Sequence, residues 1–455
     1  MKNISLPVEE GPSVDILVVG GGPAGIAAAI ASARNGAKTM LIEKQGFVGG
    51  TATACLVGPF MTCFDNEGKT QIIKGIFDEL ICRMEIEGGA IHPSKIDAGT
   101  PYSSFIIPGH RNVTPFDPEV LKRVAETMLL ENNVELLLYT QFISCVVENK
   151  TIKSVIAAKC QGLVEIKPKI VIDCSGEAYV ASNVRVPVIM GRDKDNKTQP
   201  ATLFFRVAGV DSDKVCKVME ESKELMGKPF HGTFSWLIKE GREKGEWNIS
   251  RDELGCYLSP NGKTWNMNTS RILSITGNQS ESLTQASIEG RKQIVDILAF
   301  VRKNVPGFEN AYIIASGSAL GVRETLHIQG EYTLTLDDIK SCKTFEDDIL
   351  LCSNSIDIHA EDGSGGEYIT VDTWYGIPYR SLLPQGCENL LVAGKTISAQ
   401  SEAVAAFRVM PCCYGIGQGA GTAAALALKE NKKLKELNIH NLQKKLISQG
   451  VFLNK

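Results

Sequence analysis

The residues best suited to proton transfer lie in the segment SIDIHAEDG, where His359 stands between two acidic residues. Asp357 precedes the histidine by two positions and Glu361 follows it by two. An imidazole beside a carboxylate can act as a general base, so His359 is a candidate catalytic residue. A structural histidine in a surface loop is the other interpretation, and the sequence leaves both open.

Two arginines are further catalytic candidates because they could bind an anionic group. Arg323 lies in GVRETLHIQG, and Arg408 lies in FRVMP, just before a glycine-rich segment. A guanidinium matches a carboxylate or a phosphate through two parallel hydrogen bonds. For Arg323 the alternative is an internal ion pair with Glu324. These arginines are compatible with a small anionic substrate.

The elements that would position these side chains begin with DILVVGGGPAGIAAAIASARNGAKTMLIE at residues 15–43. An apolar run predicts a buried strand, and G-x-G-x-x-G (Gly20, Gly22, Gly25) then opens a helix. Such glycines provide a tight turn, close approach to a pyrophosphate and close helix–strand packing. A second strand ends at Glu43, whose carboxylate can accept the hydroxyl groups of an adenosine ribose. The pattern predicts a dinucleotide site.

Three later segments favour FAD over NAD. A glycine pair, Gly49-Gly50-Thr51, follows the second strand, and the apolar strands in KIVIDCSG and NLLVAGKT end in glycine much later. A flavin dinucleotide is long, so distant strands of one sheet must converge on it. The residues expected to contact FAD are Gly20, Gly22, Pro23, Ala24, Gly25, Glu43, Lys44, Gly49, Gly50, Thr51, Ser175, Gly176, Gly394, Lys395, Gly417 and Gly419.

The segment RVMPCCYGIGQGAG at residues 408–421 precedes a strongly helical run. We expect Gly415 to Gly421 to open that helix, with its N-terminus directed at the flavin. The amides and the helix dipole would then stabilise negative charge on the reduced ring. Cys412 and Cys413 are adjacent and would bridge only with strain, so pocket-wall residues are expected rather than a dithiol.

Cysteine usage leaves one redox alternative open. The thirteen cysteines include no C-x-x-C pair, so no metal site is expected. Cys55 and Cys63 follow the glycine pair, where flavin disulfide reductases carry a redox disulfide. Their spacing differs from the C-x-x-x-x-C of those enzymes, and buried free thiols are the preferred interpretation.

The chain resembles the bacterial FAD-dependent oxidoreductase family, a relative of the succinate dehydrogenase and fumarate reductase flavoproteins. The most specific matching blocks are SIDIH, IPYRSLLPQGCENLLVAGKTIS and FRVMPCCYGIGQGAGTAAALA. The resemblance implies hydride transfer between a small polar organic substrate and a non-covalently bound flavin, with an external electron acceptor. A non-catalytic protein on the same scaffold is an alternative. SGEAY replaces the family's usual T-G-D-A-D around residue 175.

The predicted architecture is α/β, with a Rossmann-like FAD-binding domain and an inserted α+β substrate or cap domain. The FAD domain is predicted at 12–190 and 379–430, the cap at 191–378, and a closing helix at 431–455. A net charge of −4 with dispersed basic residues excludes a nucleic-acid-binding surface. No secretory signal or membrane span is predicted, a cytoplasmic location is expected, and oligomerisation is left open.

Overall fold

The computed structural model describes residues 5–226, 232–359 and 366–454. The strands are β1 (Val8–Val19), β2 (Thr39–Ile42), β3 (Glu135–Leu137), β4 (Gln141–Glu148), β5 (Thr151–Lys159), β6 (Gly162–Asp173), β7 (Val188–Met190), β8 (Phe205–Ala208), β9 (Cys256–Leu258), β10 (Trp265–Met267), β11 (Tyr312–Ser316), β12 (Leu326–Ile328), β13 (Asp348–Cys352), β14 (Ile356–His359), β15 (Gly366–Ile369), β16 (Tyr375–Pro378) and β17 (Leu390–Val392). The helices are α1 (Pro23–Arg34), α2 (Ile76–Ile86), α3 (Pro118–Glu131), α4 (Tyr179–Asn183), α5 (Ser212–Glu221), α6 (Ser235–Glu243), α7 (Ser280–Asn304), α8 (Leu336–Lys340), α9 (Ser401–Phe407), α10 (Met410–Lys429) and α11 (Ile439–Ser448).

The main sheet has the order β3-β2-β1-β6-β5-β4, with β17 also paired to β6. Strands β1, β2, β3, β6 and β17 run parallel, and β4 to β6 form an antiparallel meander. Val18 pairs with Leu41 on one side and with Ile172 on the other, so the apolar core of β1 is central. The expected Rossmann-like sheet with its meander is confirmed.

Helix α3 begins at residues that are typical of helix N-termini. Asp117 caps α3 by accepting a hydrogen bond from the Glu119 amide, and Pro118 is the first residue of that helix. Helix α7 has 25 residues, and α11 lies within the segment 431–455, where a closing helix is expected. No helix among the described residues is both long enough and apolar enough to cross a membrane.

The glycines of the 408–421 segment lie inside α10, which corrects the expectation that they open it. The helix begins at Met410, with Val409 as its N-cap and Pro411 in its first turn. A Cβ atom at Gly417 would lie 2.1 Å from the Ala24 carbonyl oxygen, and one at Gly419 would lie 2.6 Å from the Ile349 side chain. Gly417 and Gly419 therefore allow α10 to pack closely against α1 and β13. Because they lie in this packed interior, Gly417 and Gly419 are not expected to contact the cofactor.

A second hydrophobic core surrounds the sheet β11-β8-β10-β9 and helix α7. Its buried side chains lie between Ala201 and Leu320, with Phe105 added from the first part of the chain. The buried side chains from Leu334 to Tyr379 instead join the core that contains α1 and α10. The segment 334–378 therefore packs with the main sheet. The sequence prediction instead placed this segment in the cap, which was expected to end at residue 378.

Candidate functional site

Two glycines in the turn after β1 are required by the backbone conformation and close packing of the protein, independently of any ligand. Gly20 has a φ of +101°, and a Cβ there would lie 2.6 Å from the Cys174 carbonyl oxygen. A Cβ at Gly25 would lie 1.8 Å from the Gly20 carbonyl oxygen. These two glycines let α1 leave the sheet edge at close range, as the sequence predicted.

Gly22 differs because nothing in the protein requires it. Its φ is −75°, which any residue can adopt, and an added Cβ would meet no atom nearer than Gly50 Cα at 3.9 Å. Gly22 is the N-cap of α1, and the first amides of that helix, at Ala24 and Gly25, have no intrahelical carbonyl partner. The space beside Gly22 and these amides together suit a pyrophosphate.

The acidic residue at the end of β2 is held in position by two backbone amides. Glu43 accepts hydrogen bonds from the Gly21 amide at 2.7 Å and from the Gln45 amide at 2.8 Å. A carboxylate has about four acceptor positions, so two remain for further donors. Lys44 follows, with its ammonium 5.9 Å from the centre of the Tyr179 ring. This arrangement fits the predicted contact with ribose hydroxyl groups.

The glycine pair after β2 touches the first glycine turn. The Gly49 amide donates to the Gly21 carbonyl at 2.8 Å, and a Cβ at Gly50 would lie 2.8 Å from Gly22 Cα. Gly49 and Gly50 both have positive φ. The glycine segment after β1 and the glycine pair after β2 are therefore in contact, as expected if both bind the same extended ligand.

The carboxyl ends of β6 and β17 bring Ser175, Gly176, Gly394 and Lys395 to the same edge. Asp173 fixes the turn after β6: its carboxylate accepts from the Ser175 amide and hydroxyl and from two amides of α4. A Cβ at Gly176 would meet only Lys395 Cε, at 3.8 Å, and a Cβ at Gly394 would lie 3.2 Å from Ala24 Cβ. The three predicted glycine segments thus converge at the N-terminal end of α1.

Glu177 is a buried acidic residue in SGEAY that the sequence offered only as a departure from the family pattern. Its Oε2 atom has no hydrogen-bond partner among the described residues. Burial raises the pKa of Glu177, while the charges of Lys395 and Lys44 oppose that rise. An unpartnered carboxyl oxygen beside two lysines is available to a polar ligand group.

A cavity of about 540 Å³ lies between this sheet edge and the second core. Thr51, Lys395, Val409 and Met410 line it on the side of the main sheet. The N-terminus of α10 therefore reaches the cavity through Val409 and Met410, in place of the glycines expected there. Tyr257, Asn268, Arg251 and Arg271 line it on the side of the second core, and Arg323 and Arg408 bring the number of lining arginines to four.

All three predicted catalytic residues line this cavity, and Asp357 connects two of them. His359 Nε2 lies 3.1 Å from Asp357 Oδ2. Arg408 Nη2 donates to the Asp357 carbonyl at 3.1 Å and to Gln199 Oε1 at 3.3 Å. Burial alone would raise the pKa of Asp357, but His359, Arg408 and Arg323 together hold it well below its usual range. Glu361, the other acidic neighbour of His359 in sequence, lies outside the described residues.

The hydrogen bonds of His359 leave neither ring nitrogen available as a base. Arg271 Nη2 lies 2.9 Å from His359 Nδ1, and a guanidinium can only donate. Nδ1 is therefore the acceptor, and Nε2 carries the proton that is donated to Asp357. Burial and the neighbouring arginines lower the pKa of His359 to about 3 despite Asp357. The ring is neutral near pH 7, and it positions Arg271 and Asp357.

Arg323 and Arg271 have no carboxylate partner within 4.0 Å among the described residues. Arg323 donates instead to the Pro200 carbonyl, and Arg271 donates to the Ser250 carbonyl as well as to His359. Burial and the nearby charges of Arg408 and Arg251 hold the pKa of Arg323 well below its usual range. The alternative ion pair with Glu324 does not form, because Glu324 contacts His327 and the Gln199 amide.

The sequence matches the family model described as FAD dependent oxidoreductase over residues 15–446. The chain belongs to this family. FAD is its cofactor, in agreement with the three converging glycine segments.

A comparison with curated protein sequences gives no significant match. Solved structures that are similar to this chain include a geranylgeranyl bacteriochlorophyll reductase-like protein from Thermoplasma acidophilum, with 15% identity, a TM-score of 0.43, and coverage of 97% of this chain and 85% of that one. The flavin-dependent brominase Bmp2 has 12% identity, a TM-score of 0.46, and coverage of 96% and 83%. L-proline dehydrogenase from P. horikoshii has 13% identity, a TM-score of 0.40, and coverage of 98% and 100%.

The contrast between Gly22 and Gly25 gives a direct test of the FAD site in this family member. We expect Gly22→Ala to lower FAD affinity at least about tenfold, because its Cβ would enter the space left for the pyrophosphate. The stability of the FAD-free protein should fall by no more than about 1 kcal/mol, the cost of alanine at a helix N-cap. Fluorescence titration with FAD and thermal unfolding of the FAD-free protein measure the two effects.

Gly25→Ala is the matched comparison, because its Cβ would lie 1.8 Å from a backbone oxygen. It should lose both stability and FAD binding. Unchanged FAD affinity in Gly22→Ala would show that the open space beside Gly22 is not part of the cofactor site.

Cys55 and Cys63 are both free and buried, and they lie in different surroundings. The Cys55 thiol donates to the Leu320 carbonyl at 3.1 Å, and burial raises its pKa to about 12. Cys63 is influenced by Asp78 and Cys412 instead, and burial raises its pKa even further. This geometry gives no support to the disulfide reductase alternative.

Several cavity residues were not identified from the sequence. Arg251 and Arg271 lie in the cap, and His110 also lines the cavity. His110 Nδ1 bonds to the Pro108 carbonyl at 3.0 Å, and Nε2 lies 3.4 Å from the Tyr257 hydroxyl. No local motif marks these residues, because only the packing of the cap against the sheet brings them to the cavity.

Proposed function

We propose that this family member transfers a hydride between bound FAD and a small anionic organic substrate held in the arginine-lined cavity. The observation that carries the proposal is the position of Arg271 and Arg323. Both lie in a cavity that borders the FAD segments, and both lack a carboxylate partner within 4.0 Å among the described residues. A guanidinium kept unpaired in a semi-enclosed site is stabilised when an anion binds there.

The charge balance of the cavity supports the same substrate class. The four arginines and Lys395 line the cavity together with four acidic residues, Asp252, Glu253, Asp357 and Glu367. Glu253 bonds to Arg251 at 3.2 Å, Asp357 lies between His359 and Arg408, and Asp252 pairs with Arg242, which does not line the cavity. Arg251 Nε, Arg408 Nε and Asn268 Oδ1 are buried and lack hydrogen-bond partners among the described residues. Unpartnered donors outnumber unpartnered acceptors here, as expected for a site that binds carboxylate or phosphate oxygens.

FAD supplies the hydride chemistry when it is bound. In this proposal, Arg323 and Arg271 bind the anionic group of the substrate, and Arg408 is oriented by Gln199 and Asp357. His359 does not act as the base, because its Nδ1 lone pair accepts from Arg271. Proton transfer is instead assigned to the pair of Tyr257 and His110. His110 Nδ1 donates to the Pro108 carbonyl, so Nε2 accepts from the Tyr257 hydroxyl and can take its proton as that hydroxyl oxygen accepts one from the substrate. The implied kinship with succinate dehydrogenase flavoproteins and the use of an external electron acceptor remain part of the proposal.

Anaerobic bleaching of the flavin tests this function. The FAD-loaded protein is mixed with a panel of small carboxylates and phosphates and with their neutral amide or alcohol analogues, and absorbance near 450 nm is followed. We expect bleaching by one or more anionic compounds and none by the matched neutral analogues. Bleaching by neutral or cationic compounds alone would contradict the anionic substrate class, and no bleaching by any compound, with FAD bound, would contradict the activity.

A further inference from the structure

A second cluster of reactive side chains lies on the outer side of α2. Asp78 and Cys82 are four residues apart on this helix, so their side chains share one face. His92 comes from the loop after the helix and adds an imidazole. One ligand atom from each residue lies within 4.8 Å of the other two. None of these residues belongs to the FAD site or lines the arginine cavity.

From this geometry we propose that Asp78, Cys82 and His92 bind one Zn²⁺ ion, with water as the fourth ligand. A thiolate, an imidazole and a carboxylate form a ligand set that zinc accepts in tetrahedral geometry. Zinc–ligand bonds of about 2.0–2.3 Å place tetrahedral ligands about 3.3–3.8 Å apart. His92 Nε2 and Asp78 Oδ1 are already 3.3 Å apart. The remaining separations need only small side-chain rotations.

Neighbouring polar groups hold two of the ligands. Gln71 Nε2 donates to Asp78 Oδ1 at 2.6 Å, and Ser94 Oγ lies 2.7 Å from His92 Nδ1. The Ser94 amide also donates to Nδ1, at 3.3 Å, so Nε2 carries the proton and faces Asp78 Oδ1. Metal binding requires the other tautomer, in which Nδ1–H donates to Ser94 Oγ and the Nε2 lone pair binds the ion. Supporting hydrogen bonds of this kind orient the ligands of protein metal sites.

The loop that carries His92 is fixed to α2 independently of a metal. The His92 amide donates to Glu85 Oε1 at 2.6 Å, and Lys95 forms an ion pair with Glu85 at 3.0 Å. The histidine is therefore positioned by two contacts that involve none of the three ligand atoms. A bound ion would add a third connection between α2 and the following loop.

The accessibility of the thiol favours metal capture from solution. Cys82 is exposed, unlike Cys55 and Cys63 in the interior. Metal binding must displace the proton of the Cys82 thiol. Deprotonated Cys82 and Asp78 would together neutralise the two positive charges of the ion.

Titration of the FAD-loaded, tag-free full chain with Co²⁺ tests the proposal. Tetrahedral Co²⁺ absorbs in the red, where oxidised flavin does not, and Zn²⁺ should displace it. We expect one Co²⁺ per chain, and at least about tenfold weaker binding in Cys82→Ser and in His92→Gln. Because Cys82 is exposed, its substitution should leave FAD binding and the thermal midpoint unchanged.

Two control variants separate this site from general surface binding. Cys160 is an exposed cysteine at the turn between β5 and β6, and His440 is an exposed histidine in α11. Cys160→Ser and His440→Gln should bind Co²⁺ like the parent protein. The proposal is overturned if the parent binds less than one ion in tetrahedral geometry, or if Cys82→Ser and His92→Gln retain the parent affinity.

Discussion

Replacing Arg323 by methionine is expected to lower kcat/KM by more than a hundredfold while FAD remains bound. Arg323 lies in the cavity without a carboxylate partner within 4.0 Å among the described residues, so the substrate is its expected counter-ion. Losing a hydrogen-bonded charge from a largely enclosed site costs about 3 kcal/mol of binding, which is over two orders of magnitude in rate. Steady-state kinetics with a substrate found by flavin bleaching measures the effect.

The thermal stability of Arg323→Met provides a second expected result, which distinguishes a substrate-binding residue from a structural one. Burial, Arg408 and Arg251 all disfavour the charge on Arg323. Methionine removes that charge and keeps much of the side-chain length, so the thermal midpoint of the substrate-free protein should stay equal or rise. Activity and stability should therefore change in opposite directions, which is typical of a residue retained for function.

Arg380 provides the matched control. It forms an ion pair with Asp347 at 2.9 Å, is about half exposed, and does not line the cavity. Arg380→Met should leave kcat/KM unchanged and reduce stability by at most about 1 kcal/mol. If Arg323→Met kept the parent kcat/KM, Arg323 would not be a substrate-binding residue.

Replacing Gly421 by alanine is expected to destabilise the protein by about 2 kcal/mol, although helices normally favour alanine over glycine. In an open helical position, alanine is better than glycine by about 1 kcal/mol. A Cβ at Gly421 would instead lie 2.1 Å from the Ala28 carbonyl oxygen of α1. That oxygen is backbone, so α1 and α10 must separate, and such overpacking typically costs about 1–3 kcal/mol.

Chemical unfolding of the FAD-free protein, followed by circular dichroism, measures this change. Ala299 lies exposed in α7 and supplies the reference for helix propensity. Ala299→Gly should lower the unfolding free energy by about 1 kcal/mol, which establishes that alanine is the better residue at an open site. An increase in stability for Gly421→Ala would mean that α1 and α10 are not packed as closely as described.

Features fixed by neighbouring residues were predictable from the sequence. The turn of Gly20 and Gly25, the acid at Glu43 and the Asp117 cap each depend on a few adjacent residues, and each has its expected local structure. The start of α10 was misplaced because glycine usually interrupts a helix. Here Pro411 was the better signal, since proline is tolerated in the first turn, whereas the glycines allow two helices to approach.

The composition of the cavity could be predicted only in part. His359, Arg323 and Arg408 were recognised in motif-bearing segments, but Arg251 and Arg271 lie in the cap, where no periodicity or motif identifies them. The chemical role of His359 also depended on tertiary structure. Its pairing with Asp357 is local, yet the contact that removes its basicity comes from Arg271, 88 residues away in sequence.

The late position of β17 has a consequence for synthesis of the chain on the ribosome. β6 is complete at Asp173, but its β17 partner spans Leu390–Val392, and α10, which covers α1, ends at Lys429. During synthesis, the carboxyl end of β6 therefore remains unpaired on the side of β17 until residues 390–392 have left the ribosome. Nascent chains that stop before residue 390 would expose an apolar strand edge, so the segment from β17 to the end of α10 controls when aggregation-prone intermediates disappear.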